Sequence, residues 1–298
     1  MRAVQVTRFG GPEVLRLGEL DKPSPISTEV LVRVVAAGIN PVDCKTRRGE
    51  GVARWVGPPP FVPGWDVAGV VEAMGYGVTR FVAGDLVYGM PRFPRQAAAY
   101  AEYVTAPSLQ FAKAPTSISP HEAAALPLSA LTAWQCLVDS AAVGKGQTVL
   151  VHGASGGVGR LAVQIAESRG ARVVFTTGRS DRAALETRDA DVAVDLVGGP
   201  DTLALVDTLR SGGLLFAIAD GAAAGVIAEA SRRVIRVLEP LVEPDGRALD
   251  EVARLVDTGR LKAPVTKTFP LEEAAAAHAR LEKGGVKGKL VLEVGPHD

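Results

Sequence analysis

The segment Val149–Ala166, VLVHGASGGVGRLAVQIA, holds the residues of this chain whose types and spacing are most specific for chemistry. A short apolar run ends in a glycine-rich turn. The turn opens a helix in which Val158, Leu161, Ala162, Ile165 and Ala166 recur at helical spacing. Ala154, Gly156 and Gly159 fit the looser form of G-x-G-x-x-G, with alanine in the first place. Glycine at 156 and 157 lets backbone N–H groups approach a pyrophosphate, and the positive end of the following helix favours its charge. Ala154, Ser155, Gly156, Gly157 and Val158 are therefore candidate contacts for a dinucleotide. The same residues also suit a strand-to-helix turn that needs glycine only for tight geometry. In a dinucleotide-binding unit the end of the second strand selects the ribose, a carboxylate taking a 2′-hydroxyl and an arginine a 2′-phosphate. Here it reads Thr177-Gly178-Arg179-Ser180, with Arg182 beyond. Two guanidinium groups and a hydroxyl suit a phosphate, which predicts NADPH. Asp181 is the competing group, but it falls in the expected first turn of the next helix, where a carboxylate meets the dipole favourably.

These residues need a sheet to hold them. From Thr148 onward expected strands alternate with helices: Thr148–His152, Arg172–Thr177, Val192–Val197 and Leu214–Ala219. That alternation predicts an α/β unit with a parallel sheet covered by helices on both faces. Ahead of it, residues 1–118 read as short strands broken by Gly and Pro, such as Val30–Ala36 and Val67–Ala73, and His121–Ala142 reads as helix. The closing segment holds a helix, Leu271–Lys283, and a strand, Lys289–Val294. A chain of 298 residues suits two domains. Its 33 basic and 33 acidic residues balance, which argues against nucleic acid or an anionic membrane as partner. The N-terminus has no apolar signal-peptide core, and the uncharged stretch Ala123–Val138, sixteen residues, is too short and polar to span a bilayer. Two cysteines, Cys44 and Cys136, provide neither a disulfide framework nor a four-thiolate zinc site. A cytoplasmic protein is the expectation.

Seven segments taken together resemble the medium-chain dehydrogenase/reductase superfamily, in its zinc-free quinone oxidoreductase branch. They are AAGINPVDCKTRRG (Ala36–Gly49), PGWDVAGVV (Pro63–Val71), GDLVYG (Gly84–Gly89), AALPLSALTAWQ (Ala124–Gln135), the glycine turn, DLVGG (Asp195–Gly199) and GKLVLEV (Gly288–Val294). The resemblance implies a GroES-like β-rich catalytic domain, residues 1–118 and 260–298, around an inserted Rossmann domain, residues 119–259, with the nicotinamide in the cleft between them. It places Asn40, Asp43 and Thr132 near the nicotinamide, Asn40 as a donor to the substrate carbonyl and Thr132 against the ring. Thr177 and Val197, at the ends of expected strands, are further candidate cofactor contacts. Asp43 either organises its loop or relays a proton. Homodimers are common in the family, and Val234–Val242 is a candidate edge strand for one.

Three departures bear on activity. Zinc-dependent relatives carry cysteine at the place of Asn40 and His-Glu at Trp65-Asp66, so a metal is not expected. The tyrosine usual two residues after Asp43 is Lys45, which leaves Lys45 or solvent as proton source. One strand, Ala190–Val197, stands where two are usual, so either the sheet has five strands or the adenine-side wall is incomplete. Trp55, Phe61, Trp65, Met90 and Phe93 line the cleft for a flat acceptor or fill the core. The expected activity is hydride transfer from NADPH to a quinone or α,β-unsaturated carbonyl. An enoyl-thioester reductase shares these motifs, and Arg47, Arg48, Arg54, Arg92 and Arg95 either give it a basic entrance or are plain solvated surface. A non-catalytic NADPH-binding protein is the third reading.

Overall fold

The computed structural model describes residues 1–177, 183–219 and 221–295. The chain divides into two compact units, Met1–Leu131 with Glu243–Asp298, and Thr132–Val242. Both boundaries differ from the expected ones, for a visible reason. The helix Pro120–Ala124, opened by a reciprocal Ser119–Glu122 cap, and the helix Gly246–Asp257, capped by Asp245, both pack on the first unit's strands. Tyr88 on one of those strands donates to Leu249 O at 2.6 Å. Gly246 brings its helix so close that a Cβ there would lie 2.3 Å from Phe111 O.

The first unit is built on a seven-stranded sheet whose central member is Glu29–Ile39. That strand is buried on both faces, which is why Val30, Leu31, Val32, Val34, Val35, Ala36 and Ala37 run as an almost unbroken apolar stretch. It pairs antiparallel with Asp66–Met74, with Tyr103–Pro107 and with the C-terminal strand Lys289–Glu293. Leu290 lies opposite Ile39, so Lys289 comes level with Asn40, and Gly38 lies opposite Asp66. Three residues distant in sequence therefore meet at one end of three neighbouring strands. Gly38 is required there, because a Cβ would meet Ala124 O at 2.3 Å and Asp66 Cβ at 2.8 Å.

The second unit is a five-stranded, all-parallel sheet in the order Arg236–Leu238, Leu209–Ala217, Ala190–Asp195, Thr148–His152, Arg172–Thr176. A single strand, Ala190–Asp195, pairs with both Thr148–His152 and Leu209–Ala217, which makes the shortened sheet a five-stranded one. It stops two residues earlier than expected because Asp195 Oδ1 accepts from the N–H groups of Val197 and Gly198 and turns the chain. The expected helix His121–Ala142 is three pieces: Pro120–Ala124, Pro127–Trp134 and a π-helical turn, Gln135–Ser140. Pro127 lacks the N–H that would continue the first. Only Arg236–Leu238 of the run Val234–Val242 is strand, and it lies at the sheet edge.

Candidate active site

Asn40 and Asp43 sit where the central strand of the first unit gives way to the helix Pro41–Arg47. Asn40 is 1% exposed. Its Oδ1 accepts from Lys289 Nζ, and its Nδ2 donates to Asp66 Oδ2 at 2.9 Å. Lys289 also pairs with Asp66 Oδ2 at 3.0 Å, and Asp66 Oδ1 accepts from Leu128 N at 2.7 Å. All three side chains are buried. This cluster satisfies every demand that a buried ion pair makes: opposite charge, short contacts and further hydrogen bonds on both partners.

Asp43 begins a second buried chain. Its Oδ2 accepts from the Asn40 backbone N–H at 2.7 Å and from the Tyr100 hydroxyl at 3.0 Å, while Oδ1 has no hydrogen-bond partner among the described residues. Arg47 Nη1 lies 3.2 Å from His278 Nδ1 and can only donate, so Nδ1 is the ring's acceptor. The ring hydrogen is then on Nε2, 3.0 Å from Tyr100 Oη. Every hydrogen in the series runs one way, from Arg47 through His278 and Tyr100 to Asp43. Arg47 is anchored in turn by Gly10 O at 3.1 Å and Glu282 Oε1 at 2.6 Å. The series ties the Asn40 helix to the C-terminal helix Ala274–Glu282. Lys45 is half-buried on the same helix as Asp43.

In the second unit the glycine turn divides its duties. Gly153 has φ +95°, the left-handed conformation that the sharp turn needs, and a Cβ there would strike Val197 Cγ2 at 2.8 Å. A Cβ at Gly159 would lie 2.3 Å from Gly153 O, so this glycine lets the helix Gly157–Ser168 close onto the strand. Gly156 is different. Its angles, φ −78° and ψ 175°, are open to any residue, and a Cβ would meet nothing nearer than Gly153 O at 3.8 Å. The fold therefore does not require glycine at 156, whereas a phosphate approaching the first-turn N–H groups would. Ala154 N bonds to Thr176 O at 2.8 Å, which brings the turn against the end of the second strand, just before exposed Thr177. Ser155, Gly157 and Val158 are half-buried, and Thr132 is buried on the Pro127–Trp134 helix. Gly178, Arg179, Ser180 and Arg182 lie outside the described residues, as do Asp181 and His297. His152 is a packed residue: its Nδ1 is 2.7 Å from the Thr176 hydroxyl, which also accepts from Gly153 N.

One expectation needs correction, and one pair of alternatives is resolved. The five arginines do not make an open basic entrance, because Arg47 is fully buried, Arg48 pairs with Glu50 and Glu282, and Arg92 pairs with Glu29. Among the aromatic and Met candidates, Phe61, Trp65, Met90 and Phe93 are core, with Trp65 edge-on to Phe93 and bonded to Arg95 O, while Trp55 is exposed under Arg54. Lys289, Tyr100 and His278 join the cluster without any mark in the sequence. Only strand register and helix docking bring them to Asn40 and Asp43.

Two family models match the chain, the alcohol dehydrogenase GroES-like domain over residues 26–116 and the zinc-binding dehydrogenase domain over residues 165–292. The quinone oxidoreductase of Lama guanicoe is 31% identical, with 98% of this chain and 97% of that protein aligned. The quinone oxidoreductase structure from Coxiella burnetii is 33% identical, covers 99% of both chains and superposes with a TM-score of 0.88. Escherichia coli quinone oxidoreductase, solved in complex with NADPH, is 28% identical with a TM-score of 0.83, covering 99% of this chain and 100% of that one. The chain belongs to the medium-chain dehydrogenase/reductase superfamily, in its quinone oxidoreductase branch. It is an oxidoreductase of a family that binds nicotinamide cofactors. The zinc named in one family model does not fit the residues present. Asn40 and Asp66 are bonded to an ammonium, Trp65 has an indole where an imidazole would be needed, and burial pushes the Cys44 and Cys136 thiols up to about 12, far from the thiolate a metal takes. No described helix is long and apolar enough to cross a membrane.

Burial, reinforced by Arg47, lowers His278 to about 3. The unfolded histidine gains a proton below its ordinary 6.5 and the folded one does not until about 3, so its contribution to stability is lost as pH falls between those values, at about 1.4 kcal/mol per pH unit. Asp43 acts oppositely. Burial raises it from 3.8 to about 7, with Asp66 adding and the Asn40 N–H and Lys289 opposing, so its contribution is lost as pH rises across that range. In the wild type the two slopes oppose one another. In His278→Gln the histidine's slope is removed, so urea unfolding at pH 4.5 and pH 6 should show the pH dependence of stability shifted towards loss with rising pH relative to wild type, by about 1.4 kcal/mol per unit. An unchanged slope would show that folded His278 binds its proton as the unfolded chain does.

Proposed function

We propose that the protein is a metal-independent reductase that uses NADPH to reduce quinones or α,β-unsaturated carbonyl compounds. The observation that carries this reading is the donor set at Asn40, where an amide, a carboxylate and an ammonium satisfy one another and leave hydrogen-bond donation rather than Lewis-acid coordination as the means of stabilising an oxyanion. Bound NADPH supplies the hydride. Gly156, Gly157 and the first turn of the following helix receive the pyrophosphate, with Ala154, Ser155, Val158, Thr177 and Val197 around it and Thr132 against the nicotinamide. Gly178, Arg179, Ser180 and Arg182 receive the 2′-phosphate, for which two guanidinium groups are the natural partners. Asn40 donates to the carbonyl oxygen as negative charge develops there, and Asp43 holds the Asn40 backbone in place. Lys45, or solvent, returns the proton that converts the oxyanion to a hydroxyl.

The purified enzyme should oxidise NADPH in preference to NADH when given a panel of quinones and enones, at a rate that a metal chelator leaves unchanged. Absence of turnover across the panel, with NADPH still bound, would support the non-catalytic reading. Loss of activity on chelation that zinc restores would overturn metal independence.

Gly156→Val places a branched side chain in the space assigned to the pyrophosphate without offending the fold. NADPH affinity should fall about tenfold to a hundredfold, the loss of one or two charge-assisted hydrogen bonds, while the melting temperature stays within a few degrees. Calorimetry showing wild-type affinity would make the turn purely structural.

The strand Arg236–Leu238 ends the five-stranded sheet, with Leu238 exposed on it and exposed Val234 and Leu241 on either side. An open apolar edge of this kind suits pairing with a second copy of the chain. Light scattering should give the mass of a homodimer at micromolar concentration, and a monomer mass would refute it.

A further inference from the structure

We propose that Lys289 is a positioning residue for the reduction: its ammonium sets which way the Asn40 carboxamide faces and polarises it as a donor. This rests on the reading of Asn40 as the donor to the substrate carbonyl. A carboxamide has two ends of nearly equal size, and only its partners decide which is which. Here both partners are unambiguous. Lys289 Nζ can only donate and therefore selects Oδ1; Asp66 Oδ2, which also accepts from that ammonium, selects Nδ2. Asp66 is itself held by Leu128 N at 2.7 Å, so the reference frame is backbone on both sides: a helix through Leu128 and a strand through Lys289.

Two of the hydrogen-bonding positions of the amide are then occupied, and one Nδ2 hydrogen remains beyond them. A positive charge on Oδ1 draws electron density from the amide and makes that hydrogen a stronger donor, an effect magnified where water is excluded. Holding the fold together does not by itself call for a charge here. Replacing a buried ion pair with apolar residues of similar volume is often neutral or stabilising, so a lysine on a buried strand is a poor choice for stability alone. It also stands beside the two residues, Asn40 and Asp66, that the family resemblance aligns with metal-ligand positions in zinc-dependent relatives. The chain's own ammonium thus provides the fixed positive charge at that place, but on the far side of an amide rather than on the substrate oxygen.

The test is a double-mutant cycle in NADPH-dependent quinone reduction. Lys289→Met alone strands a buried carboxylate, so the neutral variant is Lys289→Met with Asp66→Asn, which removes both charges together. It is measured beside Asn40→Ala and the combined protein. We expect the neutral variant to lose about tenfold to a hundredfold in kcat, with the KM for NADPH changed by less than about twofold, and Asn40→Ala to lose a comparable amount. The combined protein should be no slower than the slower parent, because both changes act through one amide. If Asn40→Ala is slow but the neutral variant keeps wild-type kcat, or if the two losses multiply, Lys289 does not act through Asn40 and the proposal falls while the reading of Asn40 stands. If Asn40→Ala keeps wild-type kcat, the reading of Asn40 falls and the proposal with it. Should the neutral variant lack folded circular dichroism, Lys289→Arg decides: a kcat within about fivefold of wild type supports positioning by charge, and a loss equal to that of Asn40→Ala overturns it.

Discussion

A lysine ammonium taken out of water must be paired, and the pairing of Lys289 organises the first unit of this protein. Lys289 and its two partners come from three separate stretches of chain: the last strand of the molecule, the end of the central strand and the start of the next. Unless the C-terminal strand docks in its observed register, the ammonium loses both Asn40 and Asp66, and a buried carboxylate is left uncompensated at a cost of several kcal/mol. One contact thereby makes the register of three strands, the return of the C-terminus and the attitude of a site side chain depend on each other.

The series Arg47–His278–Tyr100–Asp43 works differently. It carries its hydrogens in one direction, which fixes the histidine tautomer and keeps the ring neutral in an environment that penalises charge. Its two ends are a guanidinium and a carboxyl group, separated by two neutral rings rather than in contact. The result is a rigid strut between the helix that follows Asn40 and the C-terminal helix, with Asp43 returning to the Asn40 backbone N–H. Asn40 is thus held twice: its side chain by Lys289 and Asp66, its main chain by Asp43. Such duplicate restraint is what a donor needs if it is to meet a developing charge without reorganising.

In the second unit the corresponding restraint is steric. Gly153 and Gly159 are demanded by the fold, one by its backbone conformation and the other by close packing, and together they bring the helix start up to the strand end. Gly156, at the N-terminus of the helix Gly157–Ser168, is left without a structural duty. Asp195 plays the same part for the neighbouring loop, capping Val197 and Gly198 with one oxygen and accepting from the Thr202 hydroxyl at 2.6 Å with the other.

Much of this was legible from the residues alone wherever function depends on local spacing. The glycine turn, the alternation of strand and helix, the single strand Ala190–Asp195 where two are usual, and the lack of a ligand set for zinc are all short-range properties, set by periodicity, by glycine's missing Cβ and by side-chain chemistry. The run Val30–Ala36 likewise read as a short strand, and the structure extends it to Glu29–Ile39 and buries it on both faces. What the residues could not disclose was which distant groups meet. Lys289 reads locally as an ordinary charge at the start of a strand, His278 as one polar residue in an alanine-rich helix, and Arg47 as part of a basic surface run. Each acquires its role only when antiparallel register sets Lys289 level with Asn40, or when the C-terminal helix presents His278 to Tyr100. The domain boundaries were displaced for the same reason, since Gly246–Asp257 continues the helical pattern of the unit before it but buries its apolar face on strands laid down at the start of the chain. Local sequence determined the elements and the turn chemistry; long-range register and burial decided the charges, because a charge is defined by its partner and its solvent, and neither is written beside it in the chain.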